Sequence, residues 1–261
     1  MDVPPVRVVV VEEHFSFRTM DKSDSSESVW LSVIIPVFNE EAALPLTLSL
    51  LEQGCTDGVE VIVADGGSTD GSAAVCAGKS VRWVNAEKGR AAQMNAGANV
   101  AKGSVLVFLH ADTRIPPGFV RELGCFRASH KFWGRFNVAL DGKHWAYRLI
   151  SLMINQRSCC TGIATGDQAI FVKKSVFDIV GGFPDIPLME DVEFSARLSA
   201  LDSPLCSRMK VVTSSRRWEN NGIVKTVLLM WWLRLQYFFG VSPERLAKIY
   251  YPQSHGSMIQ Q

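Results

Sequence analysis

Residues Leu31 to Glu41 read LSVIIPVFNEE, and this stretch decides the fold class. Ser32 to Val37 is a short apolar run with no polar alternation, followed at once by Asn39, Glu40 and Glu41. A brief continuous apolar segment that stops on turn-forming residues suits a strand buried on both faces. A helical stretch follows to Leu51, and Pro45 is tolerated there if it lies in the first turn, where its missing N–H would have no partner anyway. The same unit recurs downstream. Val59 to Ala64 is a second apolar strand ending at Asp65, Val81 to Val84 a third, and Val105 to Leu109 a fourth ending at His110. An alanine-rich helix, Ala91 to Ala101, lies between the last two. Strands of this kind alternating with helices predict an α/β fold, a mostly parallel sheet with helices on both faces. In such sheets ligands sit beyond the carboxyl ends of the strands. Asn39-Glu40, Asp65 and His110 to Asp112 all fall at those ends, which predicts a polar ligand site along one edge.

Beyond about Arg127 the pattern loosens. Lys131 to Leu140 and Asp167 to Val172 read as strands and His144 to Gln156 as an amphipathic helix. Glu190 to Ala200 reads as a helix opened by two carboxylates, which suits the positive end of the helix dipole. Ile223 to Val241 is rich in Leu, Val, Trp and Phe, but Lys225 and Arg234 interrupt it and point to opposite sides at helical spacing. Charges inside a span are costly, so a helix packed over the rest of the protein is expected rather than a transmembrane one. Trp231, Trp232, Tyr237, Phe238 and Phe239 also suit contact with a membrane interface.

The amino-terminal run Val8 to Val11 follows Asp2 and precedes Glu12 and Glu13, which does not fit a secretory signal. The serine-rich stretch Ser23 to Ser28 is too acidic in its surroundings for a transit peptide. The expected organisation is a leader over 1–29, a main domain over 30–215, and a helical segment over 216–261 covering the acceptor side. A net charge of +1 over 261 residues excludes the broad basic face that nucleic-acid binding needs. The six cysteines, Cys55, Cys76, Cys125, Cys159, Cys160 and Cys206, form no C-x-x-C pair. Buried free thiols in a reducing, cytoplasmic setting are expected, with peripheral membrane association compatible.

Three clusters can carry chemistry. LHADT (109–113) puts a carboxylate just past a buried strand, where it can hold a hard cation against a diphosphate or else cap the turn before Pro116 and Pro117. Glu190 and Asp191 offer a general base for an acceptor hydroxyl, or only a favourable helix start. Asp65 heads the loop DGGSTDGS, whose glycines permit close approach of a phosphate or base. That loop is no Walker loop, and no G-x-G-x-x-G follows the first strand, so dinucleotide binding is disfavoured. A nucleotidyltransferase is disfavoured too, for want of a glycine-rich basic loop there. Lys88 and Arg90, flanking Gly89, are either phosphate contacts or surface charges.

Taken in order, LSVIIPVFNEE, VIVADGGSTDG, EKGRAAQMNAGA, VLVFLHADT and GGFPDIPLMEDVEFSARL resemble the family 2 glycosyltransferases of GT-A fold, over about Leu31 to Leu201. The tail, with SSRRWENNG and GVSPERLAKIYYP, resembles a bacterial-type subgroup with unassigned acceptors. The resemblance implies transfer of a sugar, with inversion, from a nucleotide-sugar (UDP-sugar) donor to an acceptor hydroxyl, the acceptor being lipid-linked or small. It implies that Pro36, Asn39, Glu40, Asp65, Lys88 and Arg90 line the nucleotide site, and that Asp112 holds Mn2+ or Mg2+. It further implies that Asp191, with Glu190 beside it, is the base. Gly166, Asp167 and Gln168 correspond to the acceptor side, and Arg216, Arg217 and Trp218 to a basic-aromatic element near the diphosphate or acceptor. His110 departs from the family, standing where the D-x-D motif has its first aspartate. An imidazole there can contact ribose or join the metal, favouring manganese, and its charge is expected to vary near neutral pH. The same departure is the one sequence support for a rival reading, a catalytically idle nucleotide-sugar-binding or membrane-associated scaffold.

Overall fold

The computed structural model describes residues 29–251; the expected leader lies outside them, apart from Val29. In chain order the elements are β1 (Leu31–Val37), α1 (Leu44–Gly54), β2 (Val59–Asp65), α2 (Ser72–Cys76), β3 (Arg82–Asn85), α3 (Arg90–Val100), β4 (Val105–Phe108) and β5 (Thr113–Arg114). There follow α4 (Phe119–Ala128), β6 (Trp133–Leu140), α5 (Trp145–Thr161), a 3-10 turn over Gly166–Gln168, β7 (Ile170–Lys173) and α6 (Lys174–Ile179). The last elements are α7 (Glu190–Ser199), β8 (Leu205–Thr213), α8 (Arg216–Asn221), α9 (Ile223–Phe238) and α10 (Pro243–Tyr250).

One eight-stranded sheet runs β3-β2-β1-β4-β7-β6-β8-β5. Its first half is the parallel βαβ unit that the apolar runs predict, with β1 between β2 and β4. Successive residues of β1 face opposite ways. Val33 and Ile35 join Leu44, Leu48, Phe119 and Leu123 of α1 and α4, while Ile34 joins Met94, Ala98, Phe177 and Phe194 of α3, α6 and α7. That double burial is why the strand carries no polar alternation. Pro45 lies in the first turn of α1, as expected.

The second half departs from a parallel sheet. β7 pairs antiparallel with both β4 and β6, and β5 antiparallel with β8. The strand expected over Asp167 to Val172 begins only at Ile170, because Thr165 and Gln168 cap each other across a 3-10 turn. β8 has no counterpart in the sequence reading: its side chains alternate between buried and exposed without the apolar run that marked β1. The expectation of buried free thiols also fails: the free Cys125 and Cys160 are exposed, and Cys159 of α5 and Cys206 of β8 form a disulfide. Spacing in the chain gave no hint of this pair, which the β6–β8 pairing brings together across the fold.

Among the described residues no helix is long and apolar enough to cross a membrane. Leu233 of α9 and Leu246 of α10 pack instead on Leu188 and Met189, immediately before the Glu190-Asp191 pair.

Candidate functional site

The cleft is assembled from both halves of the sheet. At the end of β1, the N–H of Asn39 donates to Ser68 Oγ at 2.9 Å, and Thr69 N–H donates to Asn39 Oδ1 at 2.8 Å. Glu40 and Glu41 N–H bond Ser72 and Asp70 in the same way. Thus the NEE turn and the DGGSTDGS loop form one interlocked rim. Asp65, 6% exposed, accepts from Gly67 N–H, Ser68 N–H and the Ser68 hydroxyl, so its carboxylate is spent on the shape of its own loop. Pro36 is buried in β1 opposite Ala64. The sequence reading missed Gln93: it is buried in α3 and its amide donates to the carbonyls of Val37 and Ala64, tying together the ends of β1 and β2. Lys88 lies 4.0 Å above the Phe38 ring, a cation–π contact at the rim.

His110 and Asp112 lie between β4 and β5. The β5–β8 pairing, reinforced by a Thr113–Thr213 hydroxyl bond of 3.0 Å, brings the end of β8 beside Asp112. Arg216 Nη2 consequently stands 3.9 Å from Asp112 Oδ2. Trp218 sits two residues further along α8, and the Arg217 side chain lies outside the description. Glu40 is raised above its ordinary range by burial first and by the Asp112 charge second, with Arg216 and Arg90 opposing. The NEE turn and Asp112 therefore share one electrostatic neighbourhood.

Opposite stands α7. An aromatic cluster fixes its approach: Phe183 and Phe194 have ring centroids 4.1 Å apart, and Phe183 meets Phe108 of β4 edge-on at 4.8 Å. Met189, at φ 71°, makes the left-handed turn into the helix, a costly conformation for a side chain with a Cβ. The other described non-glycine residues with positive φ, Asn39 and Ala169, also flank site segments. Asp191 Oδ2 accepts from Gly166 N–H at 2.8 Å and Oδ1 from Val192 N–H at 2.7 Å, which aims the carboxylate. Glu190 is nearly buried, and burial followed by the Asp191 charge pushes its carboxyl up to about 7.

Arg90 joins the two sides. Its Nη1 is 3.7 Å from Glu190 Oε1, and beyond that contact it feels the charges of Tyr251, Glu190, Asp191 and, least, Asp112.

His110 behaves otherwise than expected. Burial, with Arg90 adding to it, pulls the imidazole down to about 3, so it is neutral through the physiological range rather than changing charge there. A Cβ on Gly166 would come 2.5 Å from His110 Nε2, so the ring presses on the turn that positions Asp191. Gln168 is fully buried, its amide donating to Ser158 and Asn155 of α5, so it braces the 166–168 turn from behind. Asp167 is raised by burial and its Oδ1 has no partner. Among the described residues no group of three or more His, Cys, Asp or Glu side chains clusters to hold a metal by itself. One carboxylate, Asp112, partly open to the cleft, suffices where a diphosphate and water complete the shell of a hard cation.

Residues 32–124 match the family described as Glycosyl transferase family 2. The chain is 30% identical over 167 residues, 55% of its length, to an undecaprenyl-phosphate 4-deoxy-4-formamido-L-arabinose transferase of Pseudomonas aeruginosa; the match spans 46% of that relative. Among solved structures it resembles TarS 1–349 of S. aureus in complex with UDP, with a TM-score of 0.59 and 17% identity over 71% of this chain and 60% of that one. It also resembles the mannosyltransferase PcManGT of Pyrobaculum calidifontis in complex with GDP-Man and Mn2+, with a TM-score of 0.54 and 19% identity over 72% and 58%. At these identities the likeness establishes the GT-A fold.

Proposed function

We propose that this chain, whose residues 32–124 match glycosyl transferase family 2, belongs to that family and moves a sugar from a UDP-sugar to a hydroxyl on a lipid-linked acceptor, with inversion, while peripheral at a membrane surface. What supports this reading is that Arg90, 3.7 Å from Glu190, also feels the charges of Asp191 and Asp112, while Arg216 stands 3.9 Å from Asp112. Asp112 would hold a divalent cation, which when bound neutralises the diphosphate leaving group. Arg90, Lys88 and Arg216 would grip phosphate and ribose oxygens, guanidinium being suited to paired contacts with phosphate. The interlocked NEE and DGGSTDGS loops would seat the base, with Asp65 fixing their shape. Asp191, aimed by Gly166 N–H and Val192 N–H, takes the proton from the acceptor hydroxyl as that oxygen attacks the anomeric carbon from the face opposite the diphosphate. Glu190, largely protonated below neutrality, spares the donor phosphates a second fixed charge. The lipid-linked acceptor rests on the undecaprenyl-phosphate substrate named for the Pseudomonas relative.

Asp191→Asn is expected to lower transfer by about 10²–10⁴-fold, the usual worth of a positioned base, while UDP affinity by calorimetry with manganese stays within about threefold. Full turnover by the variant would remove Asp191 from that role. UDP binding by the wild type with neither donor hydrolysis nor transfer, across a broad acceptor panel, would favour the idle scaffold.

A further inference from the structure

A second feature borders the cleft. A groove of about 880 Å³ runs from the C-terminal end of α5, past Val192 and Glu193 of α7, to α9 and the start of α10. Its walls are mainly apolar, including Ile186, Val192 and Phe238, yet three guanidinium groups line it: Arg157, Arg197 and Arg234. The lining holds one carboxylate, Glu193, which is already engaged by Arg197 at 3.3 Å and by the Tyr237 hydroxyl at 3.1 Å. Arg157 spends Nη1 on the carbonyl of Ile163 and leaves Nη2 without a partner. Among the described residues, Arg234 has no hydrogen bond or ion pair. Burial and then the Arg234 charge pull Arg157 down to about 10, with the Asp167 and Asp191 carboxylates opposing, so two guanidinium groups stand close together at this end of the groove.

Leading into the groove is a stripe of exposed side chains on one face of α9: Val224, Leu228, Trp231, Leu235 and Phe238. Steps of four, three, four and three residues keep them aligned at helical periodicity. At 1.5 Å per residue the stripe runs about 21 Å, and Phe238, 83% exposed, belongs to both stripe and groove. Exposed apolar surface of that extent marks a contact site. A second, shorter stripe on α5, formed by Trp145, Leu149 and Leu152, is exposed on the helix that carries Arg157.

We propose that this groove is the docking site of a membrane lipid bearing a phosphomonoester, with the phosphate between Arg157 and Arg234 and the hydrocarbon tail along the α9 stripe. An occupant that is anionic at one end and apolar for some 20 Å matches what the surface offers, guanidinium groups with donors to spare ending a long apolar track. Val192, which lines the groove, directly follows Asp191 in α7, and the Asp191 charge acts on Arg157, so a head group held there is near the proposed acceptor position. As an acceptor site, the assignment rests on the transferase reading above.

The test uses the full chain in a flotation assay with phosphatidylcholine vesicles, alone or with a minor fraction of phosphatidic acid, and with phosphatidylserine at matched charge. Phosphatidic acid is expected to raise binding about tenfold over phosphatidylcholine, the order of one hydrogen bond to a charged group. Arg234→Gln should return binding to the phosphatidylcholine level, with melting temperature and UDP affinity unchanged; Arg234→Lys should keep part of it. Leu235→Ser should weaken binding to every vesicle. Unaltered phosphatidic acid binding by Arg234→Gln, or equal binding to phosphatidylserine vesicles, overturns the site. So does displacement of the protein from vesicles by inorganic phosphate with no contribution from the Leu235 side chain, which would mean a free-phosphate site. A dimer in sedimentation that Leu235→Ser dissociates would give the stripe to a second copy. Calorimetry with UDP separates the two readings: UDP binding without lipid preference sinks this inference alone, whereas lipid preference without UDP binding sinks the transferase reading and with it the acceptor assignment.

Discussion

The two halves of the sheet treat their polar groups differently. In the parallel half, the loops after β1 and β2 satisfy one another: Asn39, Glu40 and Glu41 bond Ser68, Ser72 and Asp70, and Asp65 bonds its own loop. In the half built from β6 to β8 and the later helices lie all three buried side-chain atoms without partners among the described residues, Arg135 Nε, Arg157 Nη2 and Asp167 Oδ1. A closed hydrogen-bond network makes a rigid, pre-shaped seat, whereas unpaired buried groups are costly and await something that pairs them. On the function proposed above, the first half would seat a ligand of fixed shape such as a nucleotide, and the second a more variable acceptor. Arg90 and Glu190 form the hinge of this contrast, one from each side.

The sharpest way to break the contrast is to strike the donor half at Asp112. Asp112→Asn is expected to lower kcat/KM by about a hundredfold or more, because a cation at a leaving diphosphate is worth several kcal/mol. The gain in UDP affinity on adding manganese, read by calorimetry, should vanish with it. If the wild type binds UDP equally with and without manganese, the cation has no place in the donor half.

On the acceptor side the corresponding change is Gly166→Ala. The added methyl would meet His110 Nε2 at 2.5 Å, so either the ring or the turn must move, and the turn carries the N–H that aims Asp191. A fall in kcat of about tenfold is expected, since misplacement near 1 Å can cost more than that, with UDP affinity unchanged. Loss of UDP affinity instead would place the 166–168 turn in the donor half and dissolve the division.

The asymmetry between the halves also governed what could be read from the chain. Strands β1, β2 and β4 are buried on both faces and so announce themselves as apolar runs, and their polar ends mark the seat directly. β8 is half-exposed and hides among ordinary residues, yet it delivers Arg216 to Asp112. The Glu190-Asp191 pair was visible as chemistry, but its aim depends on Gly166 N–H and on Met189 in a left-handed turn, neither of which has a signature in residue type. Arg157 lies just past the predicted end of its helix, and Arg234 reads in the chain only as a flaw in an apolar helix. Both gain meaning from the groove they share, which no spacing within the sequence specifies. His110 misled for the same reason: its residue type suggests titration near neutrality, and its burial removes it.

Glu190, at the junction, allows a smaller test by pH. Its carboxyl ionises near the ordinary 4.5 when unfolded but only at about 7 in the fold. Between those values the folded state keeps a proton that the unfolded chain has lost, so stability falls as pH rises through this window and stays reduced above it. Glu190→Gln cannot ionise and escapes that loss. Its melting temperature relative to wild type should therefore climb from pH 4.5 to pH 8, by about 2–4 °C for each kcal/mol recovered. A pH-independent difference would mean that Glu190 is held by Arg90 as an ordinary ion pair.

The smallest expected effect returns to the donor rim. Lys88 stands over Phe38 at 4.0 Å, so its cation is oriented before any ligand arrives, unlike Arg157, whose Nη2 has no partner in the groove it shares with Arg234. An exposed cation–π contact is worth about 0.5–1 kcal/mol. Phe38→Ala leaves the lysine charge in place and removes only its guide, so UDP affinity should fall about two- to fivefold, by the conversion of that energy. Lys88→Ala removes both and should cost more, with a shallower salt dependence of binding, since one screened charge fewer meets the phosphates. Equal losses in the two variants would show that orientation supplies all that Lys88 contributes. No loss in Phe38→Ala would show that the donor rim, like the acceptor groove, holds its cation loosely until the ligand comes.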